Sequence, residues 1–351
     1  MGKFLPHLNR NFNNTKTAKS VKFNYDLKRD FFMQRSPYRK RILVFIFVTL
    51  FTFFSFSNLT KNNVQYDFSI SINNLNRTYH LYIPECYGDE VPSSLLIALH
   101  GAGGSGKIMQ RFTTLQGFDT LAEQENIIIA YPDAIQNHWN DGREDPYSYS
   151  AQNNIDDLLF ISTLIDNIQN SYNIDKKRTY VCGMSNGGMM SFYLAFFLQD
   201  KISAIATVAA SMPENLSKVE PLNRIPILMI HGTDDPVVPW EGGYVSLFKK
   251  NHGKVLSIYD TINFWKKHNN CQLSEKRNYL PNYDRKDGTR VWNEQYFNDD
   301  RSLSIVLYGI AGGGHVWPSG SNNLPGRIVG KMCYDINACN VIWDFFKSCN
   351  K

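Results

Sequence analysis

The sequence predicts an α/β protein with a mostly parallel, doubly wound sheet and helices on both faces. Three observations predict it. Short apolar runs of strand length recur along residues 58–351. Segments of helical periodicity fall between most of them. Several runs end in loops rich in Gly or in Gly, Asp and Pro, the places where parallel strands of such sheets carry their chemistry.

Taken in chain order, the first element is a leader. Residues 1–41 hold eleven Lys or Arg against two Asp, a net charge of +9. Ile42 to Ser57 is an uncharged apolar run of 16 residues preceded by Arg39-Lys40-Arg41. That is the layout of a secretory signal. Ser55 and Ser57 offer small residues for cleavage, and Met33 is an alternative start. A membrane span needs about 17–25 residues, so an uncleaved signal anchor, at residues 42–59, is the secondary expectation. Residues 1–57 are thus expected to form the leader and 58–351 a single catalytic domain. The chain is expected outside the cytoplasm, secreted or in the periplasm or cell envelope, touching a membrane only through such an anchor. The remaining chain holds 26 basic and 30 acidic residues, so the whole-chain charge of +5 does not point to a nucleic-acid partner.

Strands are expected at Thr78–Ile83, Leu95–Leu99, Ile127–Tyr131, Thr179–Cys182, Ala204–Val208, Ile227–Ile230 and Leu303–Tyr308. Helices are expected at Asp156–Tyr172, Met189–Leu198, Thr261–Lys267 and Asn337–Phe346. The polar stretch Asn269 to Asp300 interrupts the alternation. Asp287-Gly288 inside it reads as a turn in an antiparallel excursion.

Four loops carry the chemistry. Gly183-Met184-Ser185-Asn186-Gly187 joins a strand to a helix, the G-x-S-x-G nucleophile elbow that lifts a serine hydroxyl above a sheet. His231-Gly232-Thr233-Asp234-Asp235-Pro236 follows an apolar strand and offers a carboxylate. Asp235 is preferred, although spacing alone does not separate it from Asp234. Gly312-Gly313-Gly314-His315 follows the last strand and offers a base. His100-Gly101-Ala102-Gly103-Gly104 follows another, and its N–H groups, those of Ala102 and Gly103, join that of Asn186 as the expected oxyanion hole. The order Ser, Asp, His is that of α/β-hydrolases. The Gly-rich loop is no phosphate loop, because Lys107 is followed by Ile108.

The run Asp175 to Met190 resembles the secreted polyhydroxybutyrate depolymerase and feruloyl esterase family of α/β-hydrolases. So do Ile155-Asp156-Asp157, His231-Gly232-Thr233-x-Asp235 and Gly313-Gly314-His315-x-Trp317-Pro318. The resemblance runs from about Arg77 to Phe346. It implies Ser185 as nucleophile, Asp235 as the group orienting the imidazole and His315 as general base. The chain departs from the family in lacking a cysteine in Tyr296-Phe297-Asn298-Asp299-Asp300, so the resemblance names no partner for Cys271.

These observations predict a serine carboxylesterase working through an acyl-enzyme on soluble short-chain, hydroxyalkanoate-type or aromatic, feruloyl-like esters, including acyl groups on oligosaccharides. No linker composition marks a granule-binding module, so insoluble polyester is expected to be a poor substrate. An acyltransferase with the same triad and a non-catalytic envelope-anchored hydrolase-like protein are the alternatives. No cofactor is expected. No metal is expected either, since no Cys/His spacing suits zinc. Trp139, Trp240 and Trp317 follow strand ends and are candidates for the pocket wall. Export makes disulfides expected among the six cysteines, with Cys182 read as core. His138 and His252 are read as ordinary structural histidines.

Overall fold

A computed structural model describes residues 65–349, apart from 89, 301, 322 and 323. The leader, the apolar run at residues 42–57, the cleavage position and the alternative start at Met33 lie outside the described residues.

The strands are β1 (Gln65–Ile72), β2 (Leu75–Tyr82), β3 (Ser93–Leu99), β4 (Ile127–Pro132), β5 (Ile174–Met184), β6 (Ala204–Val208) and β7 (Ile227–Gly232). They continue with β8 (Gly243–Leu247), β9 (Lys250–Val255), β10 (Cys271–Ser274), β11 (Asn278–Tyr279), β12 (Arg290–Asn298) and β13 (Leu303–Ala311). The longer helices are α1 (Gly117–Glu125), α2 (Asp157–Ser171), α3 (Asn186–Phe197), α4 (Ile258–His268) and α5 (Ala338–Ser348).

Among the described residues eleven strands form one sheet, ordered β1-β2-β4-β3-β5-β6-β7-β13-β12-β10, with β11 beside β12. From β4 to β13 every neighbouring pair is parallel. The two flanks are antiparallel. The result is the α/β-hydrolase fold, with every predicted strand present within a few residues. The predicted excursion is β10 to β12, which turns the sheet antiparallel next to β13. Asp287-Gly288 lies in the longer loop between β11 and β12 and does not form a two-residue hairpin.

Central strands read as unbroken apolar runs because both sheet faces are covered. In β3, Leu95, Ile97 and Leu99 enter one core and Leu96 and Ala98 the other. The first core is closed by α2, α3 and α4 through Phe160, Leu164, Phe192, Phe196, Ile262 and Trp265. The second is closed by α1 and α5 through Phe118, Ala122, Ile342, Trp343 and Phe346. In α5 these apolar residues recur at three- and four-residue spacing, which puts them on one stripe. Helix α2 is capped by Asp156, whose side chain accepts the Leu159 N–H at 2.8 Å.

Two hairpins have no strong signature in the sequence. β1 and β2 turn through Asn73-Asn74, both at positive φ, as a two-residue hairpin turn requires. β8 and β9 form a separate two-stranded sheet that turns through Phe248-Lys249, also at positive φ. A third small core of Met189, Ala210, Val237, Val238, Val245 and Val255 holds this hairpin over the carboxyl end of the parallel strands.

All six cysteines are free thiols in the structure, so the expected disulfides are not formed there. Their sulfurs are engaged elsewhere. Cys86 Sγ donates to the Ala122 carbonyl and Cys349 Sγ to that of Phe345, while Cys182, Cys333 and Cys339 are buried. Among the described residues no helix is long and apolar enough to cross a membrane.

Candidate active site

Ser185 sits between β5 and α3 with φ 53° and ψ −121°. That region is costly for a residue with a side chain, and the surrounding structure must enforce it. Two glycines make the turn feasible. A Cβ on Gly183 would stand 2.3 Å from the Gly187 carbonyl, and one on Gly187 would stand 2.4 Å from the Leu99 oxygen and 2.5 Å from that of His100. Ser185 N–H is held by the Val208 carbonyl at 2.9 Å. The helix that follows is buried on nearly every side, and its first N–H, that of Asn186, has no partner within the helix.

Asp235 follows β7. Its Oδ2 accepts from His315 Nδ1 at 2.8 Å, and its Oδ1 accepts the N–H groups of Val237 and Val238, each at 2.8 Å. Asp234 is exposed and is bonded by the Thr233 hydroxyl. Burial pushes the Asp235 carboxyl up, but the His315 and His231 imidazoles and the Val238 N–H outweigh it and hold the group below its usual value. His231 lies behind the pair, with Nε2 3.6 Å from Asp235 and donating to the Val238 carbonyl at 2.9 Å. Burial lowers the His231 imidazole, which favours its neutral form.

Ser185 and His315 face one cavity of about 430 Å³, which Ala102, Gly103 and Asn186 also line. The Gly-rich loop differs from expectation at one position. Gly103 N–H donates to the Asn137 carbonyl at 2.8 Å, so it is spent inside the loop. Asn137 Nδ2 in turn donates to the Gly104 carbonyl at 2.6 Å. Ala102, exposed at the cavity, and Asn186 keep the N–H groups of the expected hole. His100 is spent as well. Its Nδ1 donates to the Gly101 carbonyl at 2.8 Å and its Nε2 accepts the Ala134 N–H at 3.1 Å, while burial pushes the imidazole down to about 4.

A buried chain of polar groups positions the loop opposite. Arg77 Nη2 reaches Asp157 at 2.5 Å, and Asp157 accepts the Asn140 N–H at 2.7 Å. The Asn186 side chain accepts the Trp139 N–H at 2.8 Å and donates to Asp141 at 2.6 Å. The Asp156-Asp157 pair quoted from the sequence therefore caps a helix and orients the 139–141 loop.

The three tryptophans do not line the cavity. Trp139 is buried, with Nε1 donating to the His100 carbonyl at 2.9 Å. Trp240 packs on Trp292 and Tyr259, and Trp317 packs edge-on against Phe118. Their place after strand ends is as expected, but large rings so close to the sheet are absorbed by the core. The wall is built instead from Val237, Val245, Leu247, Phe248, Leu324 and Val329, with His138, Arg143 and His252 among its polar residues. The sequence carried no signal for the hairpin residues, because they act from a turn without Gly or Asn. Among the described residues one cluster has metal-ligand spacing, Asp287, Cys333 and Asp335. Its carboxylates already accept the N–H groups of Thr289, Tyr334, Tyr283 and Asp284.

A family model described as phospholipase/carboxylesterase matches residues 86–274. The putative esterase NocK of Nocardia uniformis subsp. tsuyamanensis is 26% identical over 263 residues, 72% of this chain and 73% of its own length. Feruloyl esterase B of Piromyces equi is 29% identical over 241 residues, 66% of this chain but 41% of that enzyme. The chain thus spans less than half of the Piromyces protein. The solved acetyl xylan esterase from Aspergillus awamori superposes with a TM-score of 0.54 over 81% of this chain and 99% of its own, at 16% identity, a likeness of fold alone.

Proposed function

The chain belongs to the phospholipase/carboxylesterase family, a family of ester-hydrolysing enzymes, and from that premise we propose a serine esterase of soluble short-chain, hydroxyalkanoate-type or aromatic esters that works through an acyl-enzyme. One observation carries the reading: the buried Asp235–His315 pair, 2.8 Å apart, opens on the same cavity as a serine in a strained turn.

In this reading Ser185 Oγ attacks the ester carbonyl and its proton passes to His315 Nε2. Asp235 keeps the other ring proton on Nδ1 and stabilises the imidazolium. The oxyanion is received by the N–H groups of Ala102 and Asn186, the second at a helix N-terminus where the dipole favours negative charge. Collapse of the tetrahedral intermediate expels the alcohol, which takes the proton from His315. Water then attacks the acyl-enzyme with His315 again as base, and the carboxylic acid leaves. The family and the relatives named esterase support ester hydrolysis; the roles of individual residues rest on the geometry above.

The reading is tested by labelling with a fluorophosphonate probe followed by peptide mass analysis. The expected adduct is on Ser185. An adduct on another residue, or none at all on folded protein, overturns it. We also propose export, with cleavage after Ser57. The basic cluster and short apolar run of the sequence support it, and N-terminal sequencing of protein from its native compartment tests it. A mature chain that retains Phe45 overturns cleavage.

A further inference from the structure

Among the described residues two hydrogen-bonded Asp–His pairs open on this cavity, and the proposed mechanism uses one. The other is Asp145 with His252. Asp145 Oδ2 lies 3.0 Å from His252 Nδ1 and its Oδ1 3.2 Å. The Asp145 side chain is 2% exposed. Its Oδ1 also accepts the Tyr147 N–H at 2.8 Å, and its Oδ2 lies 3.4 Å from His138 Nε2.

His252 is held on several sides. Arg143 Nη1 donates to its carbonyl at 3.0 Å. Its ring centroid is 5.3 Å from that of Tyr147. Gly253, at φ +80°, packs so closely that a Cβ there would stand 2.7 Å from the Arg143 oxygen. These contacts bind β9 to the 138–147 loop and leave the imidazole little freedom.

The other polar groups at this end are spent. Arg143 gives Nε and Nη2 to Asp141 at 2.9 Å. His138 turns Nδ1 to the Trp139 carbonyl at 3.1 Å and Nε2 toward Asp145 at 3.4 Å, so both ring nitrogens face protein acceptors. Among the described residues nothing bonds His252 Nε2. A carboxylate accepts only, so Asp145 keeps the proton of the neutral ring on Nδ1 and leaves Nε2 bare as an acceptor. On the hairpin side the rest of the wall is aliphatic and aromatic, from Val237, Val245, Leu247 and Phe248, while Thr113 and Ser321 line it elsewhere.

We infer that His252, positioned by Asp145, is a specificity-determining residue that accepts a hydrogen bond from a hydroxyl group on an otherwise apolar ester substrate. The inference rests on the esterase reading above. The hydroxyl belongs either to the acyl group or to the alcohol, and paired substrates separate the two.

The experiment compares kcat/KM for methyl 4-hydroxycinnamate with methyl cinnamate, and for 2-hydroxyethyl butyrate with propyl butyrate. The wild type is expected to favour the hydroxylated partner about tenfold in at least one pair, the factor one well-made hydrogen bond gives. His252→Phe is expected to bring that ratio to about one, and His252→Gln, which keeps an acceptor, to restore part of it. Fluorophosphonate labelling of each variant confirms a folded site. Equal rates within both pairs in a wild type that hydrolyses these esters overturn the inference and leave the esterase reading standing. So does a preference that survives His252→Phe. A folded wild type that hydrolyses none of the four overturns both.

Discussion

Asp235 divides its oxygens, one to His315 Nδ1 at 2.8 Å and one to the paired Val237 and Val238 N–H groups at 2.8 Å each. The second set fixes the carboxylate, so the first can fix the imidazole. Asp235→Asn keeps the shape but presents an amide, which favours the wrong ring tautomer. We expect kcat to fall by about 10⁴, as in triads generally. The Asp234 side chain is exposed and accepts from the hydroxyl of its neighbour Thr233, so Asp234→Asn should stay within about threefold. Ser185→Ala should remove hydrolysis while the melting temperature holds. Rates on p-nitrophenyl acetate decide. Damage from Asp234→Asn in place of Asp235→Asn would mean that the neighbouring carboxylate is the functional one.

The elbow makes a separate, structural prediction. A Cβ on Gly187 would meet two backbone oxygens, those of Leu99 and His100, at 2.4 and 2.5 Å. Neither can swing aside as a side chain tip can. Gly187→Ala should therefore destabilise the protein by several kcal/mol, on the order of other strained core insertions, and reduce soluble yield. A Gly187→Ala protein with wild-type melting behaviour would show that β3 and α3 are less tightly apposed than described.

Much of this site was legible because parallel strands end where chemistry begins. An apolar run followed by Gly-x-Ser-x-Gly, Gly-Thr-Asp-Asp or Gly-Gly-Gly-His states a strand, a turn and a reactive group together. What stayed hidden depends on groups brought together from other loops. Gly103 looks like a free donor until Asn137, on the loop after β4, takes its N–H. Trp139 looks like a wall residue until its indole finds the His100 carbonyl. Asp145 and His252 are 107 residues apart, on a loop and a hairpin with no shared motif, so nothing local marks them as a pair. The β8–β9 turn uses Phe248-Lys249 where Asn-Gly would have announced it.

Away from the site, Asp119 in α1 gives a pH signature. It accepts from Tyr131 at 2.7 Å and Gln110 at 2.8 Å, yet burial raises its carboxyl to about 6 from 3.8. A carboxyl raised on folding stabilises fully below the unfolded value, and that contribution is lost as pH rises through the folded one. The window is therefore pH 4 to 6, and the loss is roughly 3 kcal/mol at most. Asp119→Asn removes this titration. Thermal unfolding from pH 4 to 7 should show the variant gaining on the wild type as pH rises. A constant difference across that range would mean Asp119 does not titrate there.

The cavity limits what the enzyme can take in. At about 430 Å³ it lies in the lower part of the range of ligand pockets, roughly 300–1,000 Å³. Its roof is the β8–β9 hairpin, tied down through Arg143 and the His252 carbonyl and held by the small core under Val245 and Val255. A short or aromatic acyl group can bring its carbonyl to Ser185 within these walls. A long acyl chain must continue past Phe248 into water and loses the burial that would hold it. We therefore expect kcat/KM on p-nitrophenyl esters to be highest for short acyl chains and to fall steadily beyond about C6. Long-chain triglyceride and polyhydroxybutyrate film should be poor substrates, because a packed surface does not present its esters inside a recess. Film clearing at a rate comparable with soluble ester turnover would show that the hairpin yields to a surface, and the acyl-length profile of the same preparation would then be flat.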